Sequence, residues 1–241
     1  MPGKFGIKYQ WFVILTGVLL FAVSSWFFDT QDIVVYRSIR IGIILFFLVL
    51  VLVFHGFRTH PIMIFFLFLL AGSSILALNW EQDEFAIGSL ALSTVAYGGV
   101  VYGLIRLLSF KYMSSFFGIS LLVVAVIMLA LMYFFLTMIR ETGVSGILHI
   151  ALWVTGITLF AMCVLSFVYN HELNTRATLI FLLFSLSLLF SEVFRAVGHY
   201  ELAYGDIPYY LRRALFIVSM YFLYSYSFME KNDDAPMVRF R

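Results

Sequence analysis

Eight long apolar runs, joined by connections no longer than the one at Gly198–Ile207, leave this chain few folds to choose from. A helix crossing roughly 30 Å of hydrocarbon needs about 20 mostly apolar residues. The runs at 11–28, 38–57, 61–79, 86–110, 115–139, 146–169, 177–197 and 208–229 meet that length. Inside lipid the backbone must satisfy its own polar groups, which selects helices over isolated strands. Short connections make sequential helices antiparallel neighbours. The expected fold is therefore all-α, a polytopic membrane protein built as one eight-transmembrane-helix bundle over residues 1–241. Composition agrees, because 63% hydrophobic and 12% charged residues cannot clothe a soluble domain, which is about a quarter charged. No soluble domain fits in the remaining loops and tails, so any function lies among the helices.

The first run follows Lys4 and Lys8, and Ala22-Val23-Ser24 loosely resembles a cleavage site. It continues through Trp26, Phe27 and Phe28 and further spans follow, so an uncleaved first helix is expected. Lys and Arg set orientation. Lys4, Lys8, Arg58, Arg106, Lys111, Arg176, Lys231, Arg239 and Arg241 fall on the N-terminal side, against Arg37, Arg40, Arg140, Arg195, Arg212 and Arg213 opposite. Most acidic residues gather with the smaller basic set. The expectation is an inner-membrane protein with both termini cytoplasmic.

Ionisable groups well inside a span are costly, about 2.5–3.5 kcal/mol at its centre on insertion scales. Glu192, in Leu188-Leu189-Phe190-Ser191-Glu192-Val193-Phe194-Arg195, is the clearest case. One reading is a local ion pair with Arg195 at i+3. The other is a carboxylic acid held neutral by desolvation and available as a general acid. Ser73 and Ser74 fall at nearly the same depth, and Ser89, Ser93, Thr94, Tyr97 and Tyr102 recur at helical spacing. Small hydroxyl residues also serve as close-packing positions between membrane helices. Arg40, Arg212 and Arg213 stand at helix ends on the side of Glu192. There they either snorkel to the interface or hold a phosphate headgroup. One acid, several hydroxyls and these arginines together would suit a phospholipid.

Several chemistries lack their residues. Net charge is +2, with no nucleic-acid footprint. The one cysteine, Cys163, forms no internal disulfide framework, and no span carries a lysine for a retinal Schiff base. His55, His60, His149 and His199 make no HExxH or i, i+4 pair, so no metal site and no cofactor are expected. Gly143-Val144-Ser145-Gly146 matches the GxSG of rhomboid proteases, but no mid-membrane histidine follows it, and it reads as a glycine-rich turn.

Eight spans with polar spots late in the third and seventh resemble the YhhN-like lysoplasmalogenase family. The matching stretches are Leu70-Ala71-Gly72-Ser73-Ser74-Ile75-Leu76, Leu189-Phe190-Ser191-Glu192 and Met220-Tyr221-Phe222-Leu223-Tyr224, with Phe85-Ala86-Ile87-Gly88 opening the fourth helix. The family carries aspartates where this chain has Ser73 and Glu192, and a helix-four histidine where it has Tyr97 or Gly98. The resemblance implies hydrolysis of a lysoplasmalogen vinyl ether, whose carbon must be protonated by an acid before water captures the oxocarbenium ion. It implies Glu192 and Ser73 as catalytic residues, with Arg40, Tyr97, Arg195, Arg212, Arg213 and Tyr221 around the substrate, a lysophospholipid in the membrane. Outside that resemblance, the same residues suit a non-catalytic scaffold, lipid-binding protein or complex subunit in which Glu192 only pairs with Arg195.

Overall fold

The computed structural model describes residues 5–30, 33–55, 61–108, 115–200, 202 and 205–232. Lys4, Arg58, His60, Lys111, Arg239 and Arg241, used above for orientation and for metal chemistry, lie outside the described residues, as do the side chains of Lys8, His55 and Lys231. Within them the chain is helical: α1 (Phe5–Asp29), α2 (Ile33–His55), α3 (Pro61–Leu76), a single 3-10 turn (Ala77–Asn79), α4 (Asp83–Leu107), α5 (Ser115–Glu141), α6 (Gly146–Leu173), α7 (Arg176–His199) and α8 (Ile207–Asn232).

Local chemistry sets the boundaries. Pro61 opens α3, where its missing N–H costs nothing. Asp83 and Glu84 occupy the first turn of α4, where the helix dipole favours anions. Asn174 adopts a left-handed conformation (φ 45°) and ends α6. Thr175 then caps α7 in a reciprocal box with Thr178. The GxSG segment is a turn: Gly143 has φ 87°, and the Ser145 hydroxyl caps α6 by accepting from the Leu148 N–H at 3.4 Å.

Helices α1 to α7 are long and apolar enough to cross a membrane. The expected eighth span forms as a helix but does not reach the same apolarity, because it carries Arg212, Arg213 and a run of tyrosines and serines. Its polar groups turn inward: Arg213, Ser219, Tyr224, Tyr226 and Ser227 are all buried. α7 makes its most extensive interface with α8, and α8 also packs on α1 and α2. A polar-faced helix can cross hydrocarbon when that face is covered by protein. A second boundary matters more. The run expected to start at residue 38 begins its helix at Ile33, so Arg40 sits about two turns inside α2 rather than at its tip.

The core lies among α2, α3, α4, α6, α7 and α8, around the fully buried Phe47, Phe66, Leu70, Tyr97, Phe184 and Met220. Hydroxyls cross-link it. Ser73 on α3 meets Ser93 on α4 at 2.7 Å and donates to the Ser89 carbonyl at 2.9 Å. Thr94 meets Thr155 on α6 at 2.8 Å, and Ser166 on α6 meets Ser185 on α7 at 2.7 Å. α5 stands apart, packing on α6 alone among the described elements and exposing Phe116, Leu122, Val126 and Phe134. A Ser166→Ala/Ser185→Ala double-mutant cycle, read by unfolding in detergent, is expected to give a coupling of about 0.6 kcal/mol. A coupling indistinguishable from zero would show that the two hydroxyls contribute no joint stability.

Candidate functional site

Two helices, α2 and α7, bring three charges to one point near one end of the bundle. Arg40 descends from α2, and Glu192 and Arg195 share one face of α7 at i and i+3. The Glu192 carboxylate accepts from the Arg40 Nη2 at 2.6 Å on one oxygen and pairs with the Arg195 Nη2 at 2.7 Å on the other. The three side chains are 7%, 10% and 15% exposed, so the cluster is embedded in protein. Phe216 on α8 lies under the Arg40 guanidinium at 4.5 Å, and Trp80 lies beside Arg195 at 5.2 Å. The Ser191 hydroxyl donates to the Arg212 carbonyl at 2.9 Å, fixing α8 beside Glu192.

The local-pair reading of Glu192 thus describes half of what forms. The second partner, Arg40, is not at the interface where snorkelling would carry it, because the earlier start of α2 places it at the depth of the acid. One carboxylate oxygen accepts a charge-assisted hydrogen bond from Arg40 and the other is in ion-pair contact with Arg195, an arrangement suited to an ionised anchor.

This cluster closes one end of a cavity of about 550 Å³, a volume typical of small-molecule sites, which span roughly 300–1,000 Å³. One wall is apolar, with Met128, Met132 and Phe135 from α5, Leu152 and Leu159 from α6, and Leu189 and Val193 from α7. The other end is polar, with Arg37, Arg40, Glu192, Arg195, His199, Tyr200 and Arg212. α5 and α7 share no packing, so they form two separate banks of the trough.

The expected site residues divide. Arg40, Glu192, Arg195 and Arg212 line the cavity, and so does Ser74. Ser73 does not; its hydroxyl is spent between Ser89 and Ser93 in the α3–α4 seam. Tyr97 is fully buried against Phe66 and lies outside the cavity wall. Arg213 is buried outside the cavity wall, donating to the Tyr36 carbonyl at 2.5 Å and lying 4.4 Å from the Tyr36 ring. Tyr221 is half-buried against Phe222. The polar end also holds Arg37, Tyr200, His199 and Trp80, which lie outside the expected set; the rings of His199 and Trp80 meet edge to face at 5.6 Å. His199 was placed in a loop, yet it ends α7 and continues the Glu192, Arg195 stripe at i+7, a spacing the sequence did display. Among the described residues no group of three or more His, Cys, Asp or Glu could hold a metal ion.

At the rim, Arg37 near the start of α2 pairs at 2.7 Å with Glu81, which lies outside the spans, and also donates to the Leu78 carbonyl. The hydrogen bond from Arg37 holds the Glu81 carboxyl below its ordinary value of 4.5. No protein family, curated protein or solved structure matches the chain.

Two outcomes follow from these pairs. Glu192→Gln leaves two buried guanidiniums without a carboxylate and is expected to cost about 3–5 kcal/mol in detergent unfolding. Arg195→Gln, which leaves Glu192 its Arg40 partner, is expected to cost less; equal losses would show that Arg40 contributes nothing. Because the folded carboxyl of Glu81 is the stronger acid, its pairing stabilises the protein above about pH 4.5 and is lost as pH falls through the folded value. The contribution is small, about 1 kcal/mol or less, since the carboxyl is largely exposed. Glu81→Gln should flatten the acid limb of a Tm-against-pH curve by that amount, and an unchanged limb would show the pair to be inert.

Proposed function

We propose that this integral membrane protein binds a single-chain amphiphile from the bilayer, its tail in the α5–α6–α7 trough and its polar head among the arginines of α2, α7 and α8. One observation carries the reading: a single cavity joins a wall of Met, Leu and Phe to an end lined by four arginines. A free metabolite would have no use for the apolar wall, and an alkane none for the guanidiniums. The basic bias of the N-terminal side supports placing both termini in the cytoplasm and the arginine end toward the outer leaflet of a bacterial inner membrane.

A second reading, hydrolysis of a lysoplasmalogen vinyl ether, is favoured by Glu192 lying on the cavity wall and by the resemblance to lysoplasmalogenases. It requires Glu192 to carry a proton that it delivers to carbon. The two guanidiniums on its oxygens oppose that role, whereas binding uses the carboxylate as it stands. Ser73, bonded to Ser89 and Ser93, offers the reaction no second group in the cavity.

Purified protein in nanodiscs is expected to bind a fluorescent single-chain lipid at one site. Met132→Trp, which fills the trough from a helix packed only on α6, should weaken that binding at least about tenfold (roughly 1.4 kcal/mol) without loss of fold. Absence of saturable binding by the wild type would end the proposal. Aldehyde release from a lysoplasmenyl lipid, abolished in Glu192→Gln, would instead establish the hydrolase.

A further inference from the structure

The geometry points to Arg212 as the residue that selects the ligand's headgroup, and to a phosphate ester as that group. This rests on the amphiphile reading above and names what it binds.

Four guanidiniums line the polar end of the cavity, and two carboxylates answer them. Glu81 takes Arg37, and Glu192 is divided between Arg40 and Arg195. Arg212 receives neither. Among the described residues its guanidinium donates to no carbonyl, hydroxyl or carboxylate; it lies over the Tyr36 ring, 5.2 Å from its central carbon, and meets the Glu192 carboxylate only through space. The same ring also carries Arg213 at 4.4 Å. Arg213 is not part of the cavity wall, and its Nη2 donates to the Tyr36 carbonyl. Two guanidiniums on one ring repel each other, and a buried cation without an anion is strongly disfavoured. Arg212 therefore stands in the cavity as a positioned cation that no carboxylate among the described residues contacts.

The missing partner has a definable chemistry. A guanidinium offers planar paired donors that match the oxygens of a phosphate or a carboxylate. The surroundings carry an excess of positive charge even after Arg212 is neutralised, since Arg40 and Arg195 share one acid. That excess favours a group able to carry more than one negative charge, which a phosphate monoester is and a carboxylate is not. A neutral glycerol head would leave Arg212 as bare as it is now. A quaternary ammonium alone would be repelled.

The test compares two probes of equal chain length, a 1-acylglycerol phosphate and the corresponding monoacylglycerol, by competition against the fluorescent lipid in nanodiscs. Wild type is expected to prefer the phosphate ester by about tenfold or more, the scale of a hydrogen bond to a charged group. Arg212→Gln should erase the preference, weakening the phosphate ester far more than monoacylglycerol. Arg212→Lys, which keeps the charge and loses the paired donors, should fall between. Because the readout is a ratio within one preparation, partial misfolding of a variant does not alter it. If wild type binds both probes equally, or Arg212→Gln keeps the preference, the headgroup assignment is overturned while amphiphile binding stands. If neither probe binds, the amphiphile reading itself falls. Inorganic phosphate competing as strongly as the phosphate lipid would overturn the assignment to a lipid headgroup, since the tail would then add nothing.

Discussion

A carboxylate taken out of water and shared between two guanidiniums is the constraint around which this bundle is arranged. Glu192 alone on α7 would be intolerable in hydrocarbon. Arg195 on the same helix could balance it without help from the rest of the chain. The bond from Arg40 is different, because it ties α2 to α7 at one depth although the two helices do not pack on each other and meet only through these long side chains. Trp80 and Phe216 then cover the arginine faces, which brings the end of α3 and the start of α8 to the same point. Such a cluster is a poor source of net stability, since desolvation consumes most of the Coulombic gain. It is a strong source of register, because any slip of either helix strands a charge.

How much of this was legible beforehand follows from which interactions are local. The helices could be placed to within a turn at most ends, since length and apolarity dictate them. The Glu192–Arg195 pair was readable from its i, i+3 spacing. The bond to Arg40 was not, because 152 positions separate the partners and no periodicity connects them. A five-residue error at the start of α2 compounded the problem by making Arg40 look like an interfacial residue. Ser73 shows the opposite failure. Its polarity and depth were correctly noted, but a hydroxyl in a seam and a hydroxyl in a cavity look alike in sequence, and one residue decides between them, since Ser74 faces the cavity. His199 was lost to a boundary, although it completes the α7 stripe.

The division of labour between helices is also physical. Helices α2, α3, α4, α6, α7 and α8 hold the buried core and its hydroxyl cross-links, and the charged end is fixed to them. The apolar wall of the cavity is shared between that core and α5, which contributes methionines and phenylalanines, flexible and large side chains suited to tails of no fixed shape. The densely packed helices thus carry the charges and the sparsely packed α5 part of the apolar wall, the arrangement that recognising a head while tolerating varied tails would require.

The isolation of α5 makes the protein's own bilayer a structural component. Among the described elements α5 packs on α6 alone, so in a bilayer the surrounding acyl chains would bear on its outer face where side chains do not. The cavity width then depends on a property of the solvent, and a thicker, stiffer or more ordered membrane would close the trough against α7, while a thin or fluid one would let it relax. Measurements of the same polypeptide in micelles and in vesicles would therefore interrogate two different cavities.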